Sequence, residues 1–306
     1  MPVDFWQHVL ASDMAVPDER PLNELTAELV TMLGSTDPVE RDEIAYPVLA
    51  TWASEGVYDD LMVSFGDSIA GGLQVDLGTT AADSVFRRSF SALVLAECID
   101  RDNRAQLLPV DVVLRWADRA ISWYIRERDL RGWVDGKGWA HTIAHGADLL
   151  GVLGASRHLT ELHLRVLLDV ISERLLSPTD RVFIDGEDDR LAAATLTILQ
   201  RNLVDTDQLD AWVDGLTAGL TPRRRSGSGE RWPTPQARNT SAFLRALHVH
   251  LAIGVSPVDS SLTFAEPPEC RSDLLLALLK AIPRFTPWLY SPVALPHDRG
   301  RDHPGA

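Results

Sequence analysis

Apolar residues recur at helical spacing through nearly the whole of this chain, while the alternating pattern of a half-buried strand is almost missing. That restricts the fold to helices packed on helices. Pro21 to Leu33 reads as one helix and stops at Gly34. Asp37-Pro-Val-Glu40 then supplies an N-cap, a proline in the first turn and a capping-box glutamate for a second helix running to Gly56, with a kink expected at Pro47. Further helices are predicted near Tyr58–Ile69, Ala81–Ile99, Pro109–Asp129, Trp139–Leu153, Thr160–Leu176, Glu187–Asn202, Asp207–Leu220, Thr240–Ile253 and Arg271–Ile282. Val182-Phe-Ile184 is the single β-like run and is read as part of a connection. Helices of about 12 to 20 residues with mostly short connections predict stacked antiparallel pairs. The expected class is all-α: a degenerate HEAT-like α-solenoid or curved helical bundle, with an α/α toroid as the alternative, since no fixed repeat period holds. A single domain is expected over residues 1–290, interrupted at Thr221–Arg238 and Ser256–Glu269, with a polar, disordered tail over 291–306.

A net charge of −15 and a pI near 4.9 oppose binding to nucleic acid or to an anionic membrane surface, both of which reward basic patches. No apolar run approaches the roughly 20 residues that cross a bilayer. Two cysteines, Cys98 and Cys270, and no signal-peptide pattern point to a cytoplasmic protein without disulfides. Of 29 basic residues only Lys137 and Lys280 are lysine, a bias that fits a GC-rich bacterial genome.

Three constellations carry polar chemistry. In Trp139-Ala-His-Thr-Ile-Ala-His-Gly-Ala-Asp148, a continuous helix places His145 about 40° from His141 and Asp148 about −20° from it, opposite the apolar side of Trp139, Ile143 and Leu150. Two imidazoles and a carboxylate on one face can ligate a divalent metal such as zinc, line a metal-free polar site, or join helices through hydrogen bonds. The glutamate of the zincin pattern is absent, as is the adjacent His-Asp pair of helical phosphohydrolases. The preceding loop, Asp129-Leu-Arg-Gly-Trp-Val-Asp-Gly-Lys-Gly138, is read first as a structural turn with Trp133 and Trp139 tucked into the core. Its alternative is an anion site where Arg131 and Lys137 meet a helix N-terminus. The third, Asp185-Gly-Glu-Asp-Asp-Arg190, places Glu187 and Asp188 in a first helical turn, where the dipole favours them, and could supply metal ligands or a base. Arg41, Asp42, Arg87 and Arg88 read as solvated or paired charges on helix faces. No phosphate-cradling glycine motif and no nucleophile elbow is present.

Arg41-Asp-Glu-Ile-Ala-Tyr-Pro, Val85-Phe-Arg-Arg-Ser-Phe-Ser-Ala-Leu, Glu127-Arg-Asp-Leu-Arg-Gly-Trp, Lys137-Gly-Trp-Ala-His-Thr-Ile-Ala-His-Gly-Ala-Asp-Leu-Leu and Gly186-Glu-Asp-Asp-Arg-Leu occur in that order. Together they resemble the bacterial family called domain of unknown function 2785, over roughly residues 37 to 205. The resemblance implies a helical protein and carries no activity with it. The leading functional expectation is a binding module for a peptide, a protein partner or a polar small molecule, with Arg131, Lys137, Trp139, His141, His145, Asp148, Glu187, Asp188 and Arg190 as its candidates. One alternative is a metal-dependent hydrolase ligating through His141, His145 and Asp148; the other is a purely structural polar network.

Overall fold

The computed structural model describes residues 2–218, 233–254, 267–286 and 289. The expected disordered tail and most of both long interruptions lie outside the described residues.

Twelve helices are seen among the described residues: α1 (Pro2–Ala11), α2 (Leu22–Met32), α3 (Tyr46–Ser54), α4 (Met62–Gly72), α5 (Ser84–Ala105), α6 (Val110–Arg126), α7 (Thr142–Ala155), α8 (Glu161–Leu176), α9 (Glu187–Leu199), α10 (Thr206–Thr217), α11 (Pro235–Ile253) and α12 (Arg271–Ala281). Helix α1 was not anticipated, because its polar residues interrupt the apolar run. It is fixed by Trp6, fully buried, whose indole donates to Glu28 Oε1 at 2.8 Å. The kink expected at Pro47 takes another form. Residues Val39–Ala45 form a π-helical segment, in which the Tyr46 N–H reaches back to the Arg41 carbonyl. Proline lacks an N–H and its ring crowds the carbonyl four residues earlier; the wider turn accommodates both.

The helices form two layers. In one, α3, α5, α7, α9 and α11 each pack on the next; in the other, α4, α6 and α8 do the same and α8 packs on α10, while α12 lies against α10 and α11. A continuous apolar cluster runs from Trp6 to Phe285. Helix α7 is the most enclosed element, flanked by α5 and α9 and backed by α6 and α8. Small residues allow this. A Cβ on Gly146 would stand 2.2 Å from the Tyr124 ring of α6, and one on Gly154 2.5 Å from Ile198 of α9.

The loop before α7 is a β-hairpin, β1 (Trp133–Val134) with antiparallel β2 (Gly138–Trp139), in which Trp133 pairs with Trp139. Gly136 and Gly138 take φ near +72° and +77°, the left-handed conformations that close so short a turn. Trp133 is not tucked into the core as expected but is 53% exposed, since hairpin residues alternate faces and its face is open. Among the described residues no helix is long and apolar enough to cross a membrane, and Cys98 and Cys270 are free thiols.

Candidate functional site

His141 is not a helical residue. It has φ 50° and ψ 35°, and it turns the chain from the hairpin into α7, which begins at Thr142. Its N–H bonds the Arg131 carbonyl, extending the hairpin, and its carbonyl accepts the first helical bond, from His145. The expected single stripe with His145 and Asp148 therefore breaks at its first member. The His141 ring stacks on Trp139, with centroids 4.5 Å apart and planes 18° apart, and Nε2–H donates to the Asp185 carbonyl at 3.1 Å. Burial holds its pKa below the ordinary value.

His145 is buried, contrary to the expectation of an outward-facing polar stripe. Periodicity gives α7 one core side; in the fold it has neighbours on several sides, so the face opposite Ile143 is enclosed as well. His145 Nδ1 hydrogen-bonds Ser89 Oγ of α5 at 2.7 Å, Phe90 meets the ring edge-on at 5.1 Å, and the His141 ring lies 5.5 Å away. Desolvation, reinforced by His141 and Arg190, pushes its pKa well down, so the ring is neutral at pH 7.

Asp148 is the polar residue on the one stripe of α7 that stays partly open, a turn before Val152. It forms a bidentate ion pair with Arg190 of α9, with Nε donating to Oδ1 at 2.5 Å and Nη2 to Oδ2. Arg190 also lies close enough to Tyr46 for the two to interact electrostatically. Tyr46 donates to Glu97 Oε1 at 3.1 Å, and burial raises the pKa of both. Tyr46, Glu97, Asp148 and Arg190 thus form a half-buried polar row across α3, α5, α7 and α9. Tyr46 and Glu97 were not singled out from the sequence. Glu97 sits in an otherwise apolar stretch of α5, and that misplaced charge was the available signal.

The metal set does not assemble. Asp148 gives both oxygens to Arg190, His145 Nδ1 is held by Ser89 and His141 Nε2 by a carbonyl; no three His, Cys, Asp or Glu side chains among the described residues form a metal-binding group. Glu187 is buried, accepts the Asp185 N–H at 2.8 Å and has a pKa raised by desolvation; it closes the turn into α9. Asp188 is half-buried with no side-chain partner among the described residues. The anion site imagined beside the hairpin is also filled from within. Arg131 forks onto Asp129 (2.6 and 2.8 Å) and bonds the Ala82 carbonyl, and Lys137 pairs with Asp83 at 2.6 Å.

Two arginines read as solvated or paired charges on helix faces are paired, and both are fully buried. Arg41 sits over the rings of Phe86 and Phe90, 4.2 and 4.9 Å from their centroids, and donates to Asp42, the Ser35 carbonyl and the Lys137 carbonyl. It ties the π-helical segment to the hairpin. Arg88 forks onto Glu127, which also accepts from the Trp123 indole and from the Arg128 and Asp129 N–H groups.

A search of curated proteins and of solved structures finds no match to the chain. One family does match, over residues 73–249, and its description is "Protein of unknown function (DUF2785)". The match leaves out the Arg41–Pro47 block on which the resemblance partly rested, and it takes in α10 and most of α11, which that resemblance did not reach. Since it spans more than half of the residues and includes the hairpin, α7 and the turn into α9, the chain belongs to the DUF2785 family.

Proposed function

We propose that this protein is a binding module, a curved α-solenoid of helical pairs, which holds a polar small molecule or a short peptide on the row formed by Tyr46, Glu97, Asp148 and Arg190. The observation that carries this reading is the row itself. Four polar side chains from four successive helices of one layer remain partly open to solvent, and Arg190 lies close enough to the His141 and His145 rings to interact with them electrostatically. A helical layer that exposes side chains from consecutive helices is suited to binding, because a ligand can bridge several of them without any helix moving. Arg190 offers a fork to a carboxylate, Glu97 and Asp148 offer acceptors to an amine or hydroxyl, and Tyr46 can donate or accept.

Thermal-shift measurements with amino acids, di- and tripeptides and simple sugars test the proposal. At least one of these classes should raise the melting temperature of the wild type, as any ligand specific for the folded state must, and should fail to do so with Tyr46→Phe combined with Arg190→Gln. An unchanged melting temperature across all three classes would remove the proposal, as would equal shifts in wild type and variant.

A second reading is supported by the bonds that these groups already make. If Asp148–Arg190 and Ser89–His145 serve only to fix the rotation of α7 against α9 and α5, the double variant loses stability and binds nothing to begin with.

A further inference from the structure

A cleft of about 920 Å³ lies where α6 and α8 end, on the second layer of helices rather than on the polar row. Five arginines line it, Arg126, Arg128, Arg131, Arg174 and Arg181, against three carboxylates, in a protein whose net charge is −15. Two of those carboxylates are already committed. Glu127 is held by Arg88, from behind the wall, and Asp129 by Arg131. Only Asp180 is left to face Arg126, Arg128 and Arg181, whose side chains have no partner among the described residues.

Arg174 is the informative member. It is 5% exposed, its ring contact is the face of Tyr124, and its hydrogen bonds go to the backbone carbonyls of Tyr124 and Glu127. Its Nε is buried without a partner, and burial lowers its pKa. A buried guanidinium with carbonyl partners and no carboxylate bonded to it is costly; the Glu127 and Glu173 charges offset part of that cost, and further negative charge in the cleft would relieve more of it. Capping the C-terminal carbonyls of α6 explains where Arg174 sits, but it explains neither the free Nε nor three further unpartnered arginines around one space.

The walls are fixed. Inward-facing Glu127 accepts the Arg128 and Asp129 N–H groups, and Thr142 bonds the Asp129 carbonyl, so the segment carrying Arg126 and Arg128 is held from inside. On the other side, buried Asn239 bonds both the Phe183 N–H and the Arg181 carbonyl, anchoring the loop that carries Arg181. Ile125, 43% exposed at the cleft, gives an apolar surface beside the charges.

We infer that this cleft binds a small organic oxyanion, a phosphate ester or polycarboxylate, with its charged groups on Arg126, Arg128 and Arg181, the Arg174 charge behind them and its carbon skeleton against Ile125. Forked guanidinium donors suit both oxyanions, and the volume accommodates a ligand of metabolite size.

Isothermal titration of the full chain with inorganic pyrophosphate, with citrate, and with sodium chloride at matched ionic strength tests the inference and separates the two anion classes. Saturable binding of pyrophosphate or citrate, and none of chloride, is expected. Arg126→Ser with Arg181→Ser, at positions whose side chains hold no other group in place, should weaken it about tenfold or more, and the corresponding double lysine variant should keep part of the affinity. The inference fails if neither oxyanion binds saturably, or if the double serine variant, with an unchanged melting temperature, binds as the wild type does. The second result would place the ions elsewhere on the surface.

Discussion

Glu127→Ala is the substitution whose consequence the structure defines most completely. The Glu127 carboxylate accepts five hydrogen bonds, from Arg88 Nε (2.5 Å) and Nη2 (2.9 Å), from the Trp123 indole (3.0 Å), and from the Arg128 and Asp129 N–H groups (2.9 Å each). The side chains of Arg88 and Glu127 are 0% and 1% exposed. Removal strands the Arg88 charge, which keeps only the Val75 and Asp76 carbonyls and Ser84 Oγ, all on its Nη1. An uncompensated buried charge costs about 3–5 kcal/mol, a large part of the roughly 5–15 kcal/mol that holds a protein folded. Urea unfolding should show this loss as a lower midpoint. In an Arg88→Met background, where no charge remains to be stranded, the same substitution should cost about 1–3 kcal/mol less. A loss below about 1 kcal/mol, typical of an exposed pair, or an equal loss in both backgrounds, would refute the reasoning.

Ser89→Ala leaves His145 Nδ1 buried without a partner and should lower stability by about 1–3 kcal/mol in the same assay. Gly146→Ala drives a methyl into the Tyr124 ring and should cost a similar amount, about 1–3 kcal/mol by overpacking, read as a reduced melting temperature. Because burial depresses the pKa of His141 and His145, the unfolded chain binds more protons than the folded one once the pH falls below 6.5. Stability should therefore decline from there downward, and less steeply in His145→Gln. Glu97 and Glu187, whose pKa values burial raises, act in the opposite sense from 4.5 upward, so the comparison with the variant, rather than the raw pH curve, isolates the histidine. Added zinc should leave the melting temperature unchanged, since the donors of the supposed metal set are bonded to other groups; a clear rise would reopen that reading.

Local pattern was enough to place most helices. Leu22–Met32, Glu161–Leu176 and Arg271–Ala281 fall within a residue or two of the spans read from spacing and capping residues, because a helix's period and end signals lie within its own residues. The hairpin at Trp133–Trp139 was missed. Each of its strands is two residues long, too short for alternation to register, although the glycines at 136 and 138 marked a tight turn. The candidate site was legible as a list of residues and misread as a geometry. Asp148 and Arg190 belong together, but their pairing joins α7 to α9 across 42 positions, and Tyr46 and Glu97 join the row from α3 and α5.

The sequence by itself determined that the chain is helical, roughly where most of its helices lie, and which segments concentrate polar chemistry; each of these depends on neighbours within a few turns. Only the tertiary structure decided which faces are buried. Periodicity gives a helix one apolar side, but α7 lies between α5 and α9 with α6 behind it, so that His145 on its supposed outer face became an interior group. The same holds for charge. In sequence Arg88 and Glu127 are charges on helical segments no different in kind from Arg126 and Arg128; only long-range packing buries the first two as a pair and leaves the others without a partner among the described residues around a cleft, because desolvation and pairing depend on residues far away in the chain.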